Sequence, residues 1–292
     1  MEIQPTISTG IADASLKVRF ARWATSIYRF SGLRIAKRAF AKVPEGTVLS
    51  RRFFRHNLYL DVSRTDTHRL LYLEGERFVT ERALIAELLK PGDRVIDVGA
   101  NIGYYALMFA RLVRKEGSVL CIEPEPDNLV ELRRNVAGND LCNVEILGVA
   151  AGEKVGRVGF AAGINGRVAS EPNGQLDVDM VLLDSVINGK IDLIKIDVEG
   201  YEGQVLAGAH RVLRQFHPKL FVEVHPDLLI GYTTADVINL VSVLYKSIRY
   251  YEPNIRGVGK VISRYGSRTF PAVLNERDLS SRTDVFWMVC TN

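Results

Sequence analysis

The feature that most constrains this chain is a series of short, almost wholly apolar segments separated by helical ones. RVIDV (94–98), SVLCIE (118–123), NVEIL (143–147), IDLIKID (191–197) and KLFVEVH (219–225) lack the apolar/polar alternation of a strand with one wet face. Strands of this kind are covered on both sides, which predicts a mostly parallel sheet with helices on either face. Residues 101–115, 126–139, 202–215 and 234–246 read as the intervening helices, with Ile102, Ala106, Phe109, Ala110 and Val113 on one side of the first. Residues 80–90 predict a preceding helix with Thr80 as N-cap, 150–183 a strand–loop–strand insertion, and 284–290 a last strand. In such sheets ligands bind beyond the carboxyl ends of the strands, near the point where strand order reverses.

The chain has 292 residues, 47% of them hydrophobic, enough for one large α/β core with an added subdomain. Its formal net charge of +4 is unevenly distributed, because residues 1–56 carry eleven Lys or Arg against three acids and the remainder is net acidic. Leu16, Phe20, Trp23, Ile27 and Phe30 form an apolar stripe from which Lys17, Arg22 and Arg29 fall away. This is a basic amphipathic helix, either packed on the core or lying on a membrane surface or lipid substrate. Residues 47–62 read as one or two strands, so 1–74 form an N-terminal extension and 75–292 the main domain. Cys121, Cys142 and Cys290 are odd in number and contain no CxxC pair, which predicts buried thiols in a reducing compartment. Residues 1–15 lack a secretory pattern, and no run of about 18 apolar residues exists, so the expected location is cytoplasmic, at most peripheral to a membrane. No basic groove interleaved with aromatics is visible, and nucleic acid is not an expected partner.

The first apolar strand runs directly into Asp97-Val98-Gly99-Ala100-Asn101-Ile102-Gly103. Gly99 permits a sharp turn and close backbone approach to a ligand, and Gly103 is expected to bring the helix close to the sheet. Glu123, at the end of the next strand, is placed to accept hydrogen bonds from ribose hydroxyls. The glycine spacing is G-x-x-x-G, with Asn101 where a dinucleotide fingerprint needs its second glycine. Asp97 is also unsuited to a pyrophosphate and suited to an ammonium or sulfonium group. Both features favour S-adenosylmethionine over a nicotinamide dinucleotide, with Ala100, Pro124 and Val149 assigned to the same binding site.

A second cluster closes the fourth and fifth strands: Lys195, Asp197 and Glu199 on one, Glu223 and His225 on the other. Burying so many ionisable groups costs several kcal/mol unless they are paired or used. Asp197, Glu223 or His225 could take a proton from an alcohol. Alternatively Asp197 with Glu199 or Glu223 could hold a divalent ion, for which an all-oxygen set favours magnesium. The plain structural reading has Lys195 paired with a carboxylate and His225 capping its strand. His56, His68, His210 and His217 belong to no cluster and read as surface or capping groups, and Glu202 as a helix-opening acid.

DVGANIGYYAL, IEPEPDNLVELRRN and LDSVINGKIDLIKIDVEGYEGQVLAGA together resemble the FkbM family of S-adenosylmethionine-dependent methyltransferases, over about residues 75–230. The resemblance implies a Rossmann-like class I methyltransferase fold, α/β, with a mostly parallel seven-stranded sheet. It implies O-methylation of sugars in glycolipids and polysaccharides, or of polyketide hydroxyls. Carried onto this chain, Asp97, Gly99, Asn101 and Gly103 would line the methionine end of the cofactor, and Glu123 its ribose. Asp197, Glu199 and Glu223 would face the acceptor. The expected function is therefore sugar O-methylation, with a small secondary metabolite as the second acceptor class and a non-catalytic cofactor-binding protein as a third reading.

Overall fold

The computed structural model describes residues 40, 43–74, 79–161, 167–168, 176–253, 273–279 and 281–292. The expected basic helix around Leu16–Phe30 lies outside the described residues. The chain divides into two compact units, Met1–Arg77 and Phe78–Asn292.

In the first unit, β1 (Val48–Phe53) and β2 (His56–Asp61) form an antiparallel hairpin in which Phe53 pairs with His56. The two turn residues, Phe54 (φ 47°) and Arg55 (φ 69°), both adopt the left-handed conformation that matches hairpin twist. Helix α1 (Asp66–Glu74) is tied to the hairpin by Arg51, whose guanidinium donates to the carbonyls of Tyr72 and Leu73. Of the surface or capping roles expected of it, His68 takes the second. It is buried, with Nδ1 3.0 Å from the Asp61 carbonyl oxygen at the end of β2.

The second unit opens with α2 (Val79–Leu88) and continues as β3 (Arg94–Val98), α3 (Tyr104–Val113), β4 (Ser118–Ile122), α4 (Pro126–Ala137) and β5 (Val144–Leu147). After an insertion come α5 (Leu183–Val186), β10 (Leu193–Ile196), α6 (Glu202–Ala207), α7 (His210–Phe216), β11 (Lys219–Val224), α8 (Thr234–Ser242), β12 (Ser247–Tyr251), β13 (Val273–Leu274) and β14 (Phe286–Thr291). The insertion, predicted as strand–loop–strand, carries β6 (Ala150–Ala151), β7 (Gly156–Ala161), β8 (Arg167–Val168) and β9 (Leu176–Val181), a small sheet of order β6-β9-β7-β8.

The main sheet has the order β13-β12-β14-β11-β10-β3-β4-β5. Strands β5, β4, β3, β10 and β11 are mutually parallel, and β14 pairs antiparallel with β11. The chain leaves β3 in one direction through β4 and β5, then returns to β10 on the other side. The reversal of strand order therefore lies between β3 and β10. Ile96, Val98, Ile194, Ile196 and Val222 are all but fully buried, as continuous apolar strands require. This is the Rossmann-like α/β architecture expected.

Six details differ from the sequence reading. The sheet has eight strands, because the two-residue β13 extends its edge and the expected count was seven. Strand β12 was not anticipated, since SIRYY is short and only half apolar. The single helix expected over 202–215 breaks at Gly208, where an added Cβ would lie 1.9 Å from the Gly152 carbonyl oxygen. Thr80 lies inside α2 and is not its cap, and α3 begins only at Tyr104, after the turn. Cys121 and Cys290 are buried as expected, but Cys142, in the loop before β5, is exposed. No helix among the described residues is long and apolar enough to cross a membrane.

Candidate active site

The turn after β3 is assembled almost wholly by backbone. The N–H groups of Gly99 and Ala100 both donate to the Ile122 carbonyl, at 2.9 and 3.1 Å, locking the turn onto the end of β4. Asn101, at φ 49°, uses its side-chain oxygen to accept the Ile102 N–H at 2.8 Å, and tolerates a left-handed conformation better than most residues. Gly99 (φ +79°) and Gly103 (φ +88°) bracket it.

The reason for each glycine is more specific than the sequence indicated. A Cβ at Gly99 would fall 1.9 Å from the Asp197 carbonyl oxygen. The turn is thus packed against the end of β10, and the missing side chain admits neighbouring backbone. A Cβ at Gly103 would meet Leu132 Cδ1 at 2.7 Å, so this glycine brings α3 close to α4, whereas the expected partner was the sheet.

Glu123 is buried at the end of β4. Its Oε2 accepts the Asn101 N–H at 2.8 Å, and its Oε1 accepts the Glu125 N–H at 3.0 Å and the Asn128 side chain at 3.4 Å. Burial nevertheless dominates and pushes its carboxyl up to about 7, against the pull of these donors. Two carboxylate oxygens with about four acceptor sites retain room for further donors. Ala100 is buried within the turn, while Pro124 and Val149 are half-buried past the ends of β4 and β5.

One residue of β10 organises the neighbouring edge. Lys195 is 1% exposed, and its ammonium lies 3.5 Å from Asp97 Oδ1, 3.3 Å from Asp197 Oδ2 and 4.8 Å from the Tyr105 ring centroid. The register explains the meeting, because Lys195 pairs directly with Asp97 across β10 and β3 and their side chains share a sheet face. Burial opposes the Lys195 charge, but Asp197, Asp97, Glu81 and Glu223 together hold the ammonium above its ordinary range. Burial raises Asp97 to about 6, moderated by Lys195. Among the described residues neither Asp97 oxygen has a hydrogen-bond partner, the ammonium being at ion-pair distance only. The cation beside Asp97 in the folded chain is thus Lys195, which pairs with carboxylates as the plain structural reading has it.

A second knot surrounds His225. Its Nδ1 lies 2.9 Å from Glu202 Oε1, and its Nε2 lies 3.6 Å from Glu199 Oε2 and 4.0 Å from Glu223 Oε1. Burial works against the His225 charge, but the Glu202 hydrogen bond and neighbouring acids raise its pKa overall. Glu199 sits at φ 52°, followed by Gly200 at φ +103°, where a Cβ would fall 2.1 Å from the Leu228 carbonyl oxygen. One ligand atom each from Asp197, Glu199 and His225 lies within 4.8 Å of the other two. Every acidic or basic residue expected at this edge is therefore present, in two adjoining groups.

Two members were missed, and a third does more than was expected of it. Glu81 of α2 and Tyr105 of α3 are buried and act on Lys195 and on each other. Burial raises Glu81 to about 7, with Tyr105 and Lys195 pulling it down. The signal was present, since Glu81 falls three and four residues before Leu84 and Ile85 on the apolar stripe of α2. Glu202 opens its helix as expected, and it is also fully buried and accepts the Gly200 N–H at 2.9 Å. As a chemical device, the edge offers a histidine with an anchored ring, several carboxylates and one buried ammonium, beside the Gly99 turn.

Residues 97–245, about half of the chain, match the methyltransferase FkbM domain. The chain is 26% identical over 157 residues to the 2-O-methyltransferase NoeI of Sinorhizobium fredii, covering 45% of this chain and 63% of NoeI. It is 27% identical over 183 residues to the hexuronic acid methyltransferase AglP of Haloferax volcanii, covering 60% of this chain and 71% of AglP. It is 30% identical over 158 residues to the 31-O-demethyl-FK506 methyltransferase FkbM of Streptomyces tacrolimicus, covering 41% of this chain and 60% of that protein. The matched region thus spans less than two thirds of NoeI and of FkbM. The domain match contains both the Gly99 turn and the β10–β11 acids, and the chain belongs to the FkbM methyltransferase family.

Proposed function

We propose that the protein is an S-adenosylmethionine-dependent O-methyltransferase whose acceptor is a sugar hydroxyl in a glycolipid or polysaccharide. The observation that carries this reading is the meeting, at the reversal of strand order, of the Gly99 turn and Glu123 with the acids of β10 and β11. The residues present fit the cofactor. The Asp97 oxygens are buried beside the turn with no hydrogen bond among the described residues, and Glu123 keeps acceptor capacity at the end of β4. Asp97, Gly99, Ala100, Asn101 and Gly103 would hold its methionine end, Glu123 and Pro124 its ribose, and Val149 its base.

When bound, S-adenosylmethionine supplies a methyl group on a sulfonium, so the acceptor oxygen bonds to that carbon as the C–S bond breaks and its electron pair stays on sulfur. The chain's own contribution is position and charge. Holding two reactants in attack geometry can supply roughly 7–11 kcal/mol of the barrier. Asp197, Glu199, Glu223 and His225 surround the acceptor side, and the hydroxyl proton passes to one of the flanking carboxylates. Lys195 pairs with Asp97 and Asp197, and its charge opposes the burial that raises the Asp97 carboxyl.

A sugar acceptor is supported by the hexuronic acid methyltransferase among the relatives, and by the basic excess of residues 1–56, which suits an anionic glycan or a lipid surface. A small secondary metabolite is the second reading, favoured by the FkbM relative. The test is transfer of labelled methyl from S-adenosylmethionine to uronate-containing oligosaccharides, lipid-linked glycans and a macrolide hydroxyl. Label in the glycans supports the first reading. Label confined to the macrolide replaces it with the second.

A further inference from the structure

The two nitrogens of His225 have different surroundings. Glu202 Oε1, the partner of Nδ1, already accepts the Gly200 N–H, so it acts as an acceptor and the imidazole proton belongs on Nδ1. Nε2 then carries a second proton in the charged ring and a lone pair in the neutral one. The side chain is only 8% exposed, and Nε2 makes no hydrogen bond among the described residues. It faces Glu199 at 3.6 Å and Glu223 at 4.0 Å, with Asp197 close by. Carboxylate oxygens gathered about Nε2 favour a positive charge there, which either the ring's own second proton or a metal ion in its place supplies.

We infer that Asp197, Glu199 and His225 bind one divalent cation of the first transition row. Their ligand atoms, within 4.8 Å of one another, close around an ion with bonds of about 2.0–2.2 Å by rotation of the two carboxylates, whose side chains are 28% and 25% exposed. Asp197 engages Lys195 through Oδ2 and has Oδ1 for the ion. Glu202 is a positioning residue, since a carboxylate on the far nitrogen fixes the ring and tautomer of a metal-bound histidine. The identity of the ion follows from the ligand set. Asp197 with Glu199 or Glu223, as the sequence suggested, would be all oxygen and suit magnesium. Replacing one carboxylate by an imidazole shifts preference toward manganese, iron, cobalt or zinc. Three protein ligands leave positions for an acceptor hydroxyl, whose proton the ion would make easier to remove. That use rests on the methyltransferase reading; binding of the ion does not.

The test uses the full chain, stripped with a chelator and titrated with Co²⁺ alone, followed by visible ligand-field absorption and calorimetry. The expected result is one saturable equivalent with an absorption band. Glu199→Gln should weaken binding tenfold or more, and Glu202→Gln by on the order of tenfold through the histidine. Glu199→Asn, which suits the left-handed backbone there, repeats the first test in a second side chain, with circular dichroism confirming that each variant folds. A folded parent chain that takes up no Co²⁺, or binding that Glu199→Gln and His225→Gln both leave intact, overturns the site. Calorimetry with S-adenosylhomocysteine on the same sample separates the two claims. Binding of that product by a chain that ignores Co²⁺ removes the ion and keeps the methyltransferase.

Discussion

Glu123 at the end of β4 and Asp197 just past β10 are both carboxylates at one edge of one sheet, yet they are held by different kinds of partner. Glu123 is cradled by backbone N–H groups of Asn101 and Glu125 and by the Asn128 side chain, two of them within five residues of it in the chain. Asp197 is held by the ammonium of Lys195, which is shared with Asp97 from another strand, and stands beside Glu199 and His225. The first arrangement is a local turn that presents fixed donors and acceptors. The second is a set of side chains meeting across strands, where charge is balanced pair by pair. A turn of the first kind suits a constant ligand such as a cofactor, and an edge of the second kind leaves room for chemistry and for variation in the acceptor.

The sharpest way to break this contrast is Gly99→Val. The new Cβ would strike the Asp197 carbonyl at 1.9 Å, and a β-branched residue resists φ +79°. Both regions should fail together, with S-adenosylhomocysteine binding lost in calorimetry and stability reduced by about 3 kcal/mol or more in denaturant melts. Retention of normal affinity would show that the turn does not receive the cofactor. Asp197→Asn probes the second region by itself. Turnover should fall by on the order of 10² or more while cofactor affinity changes little, and single-turnover rates near those of the parent would remove Asp197 from the reaction.

A smaller effect separates the buried charges behind the edge. Burial raises Glu81 to about 7, in the company of Tyr105, Lys195, Asp197 and Arg82. Its folded pKa exceeds its unfolded one, so folding favours the protonated form. That contribution to stability is present in full below about 4.5 and is lost as pH rises through about 7. Asp97 and Glu123, raised to about 6 and 7, act in the same direction. Melting temperature should therefore fall between pH 5 and 8, and Glu81→Gln should flatten the profile by about 1–3 kcal/mol. A variant with the parent's slope would place the titration elsewhere. The smallest test is thiol labelling. Cys142 should react in the native chain, while Cys121 in β4 and Cys290 in β14 react only on opening, and their two rates compare the packing of the two sides.

The sequence made the first region legible because its contacts are nearly local. Gly99, Asn101, Gly103 and Glu123 fall in register with a strand, a turn and a helix start, and each element carries its own periodicity. The Lys195 and Asp197 edge was legible as a list of residues, since period two places them at strand ends. Its pairings were not, because they depend on register between β10 and β3, strands separated by nearly a hundred residues. Glu81 was overlooked because one acid on an apolar helix stripe looks like an exception until its neighbours are known. Glu202 was read correctly as opening its helix, but its burial and its contact with His225 depend on β11, more than twenty residues away in the chain.

By itself the sequence determined the alternation of strands and helices, the turn chemistry after β3 and the residue types at the carboxyl edge, since all of these follow from spacing within one segment. Only the tertiary structure decided that Gly99 makes room for the Asp197 backbone, that Lys195 bridges two aspartates, and that His225 turns one nitrogen to Glu202 and the other toward Glu199. Those outcomes depend on which strands become neighbours and in what register, a choice made by packing of the whole core.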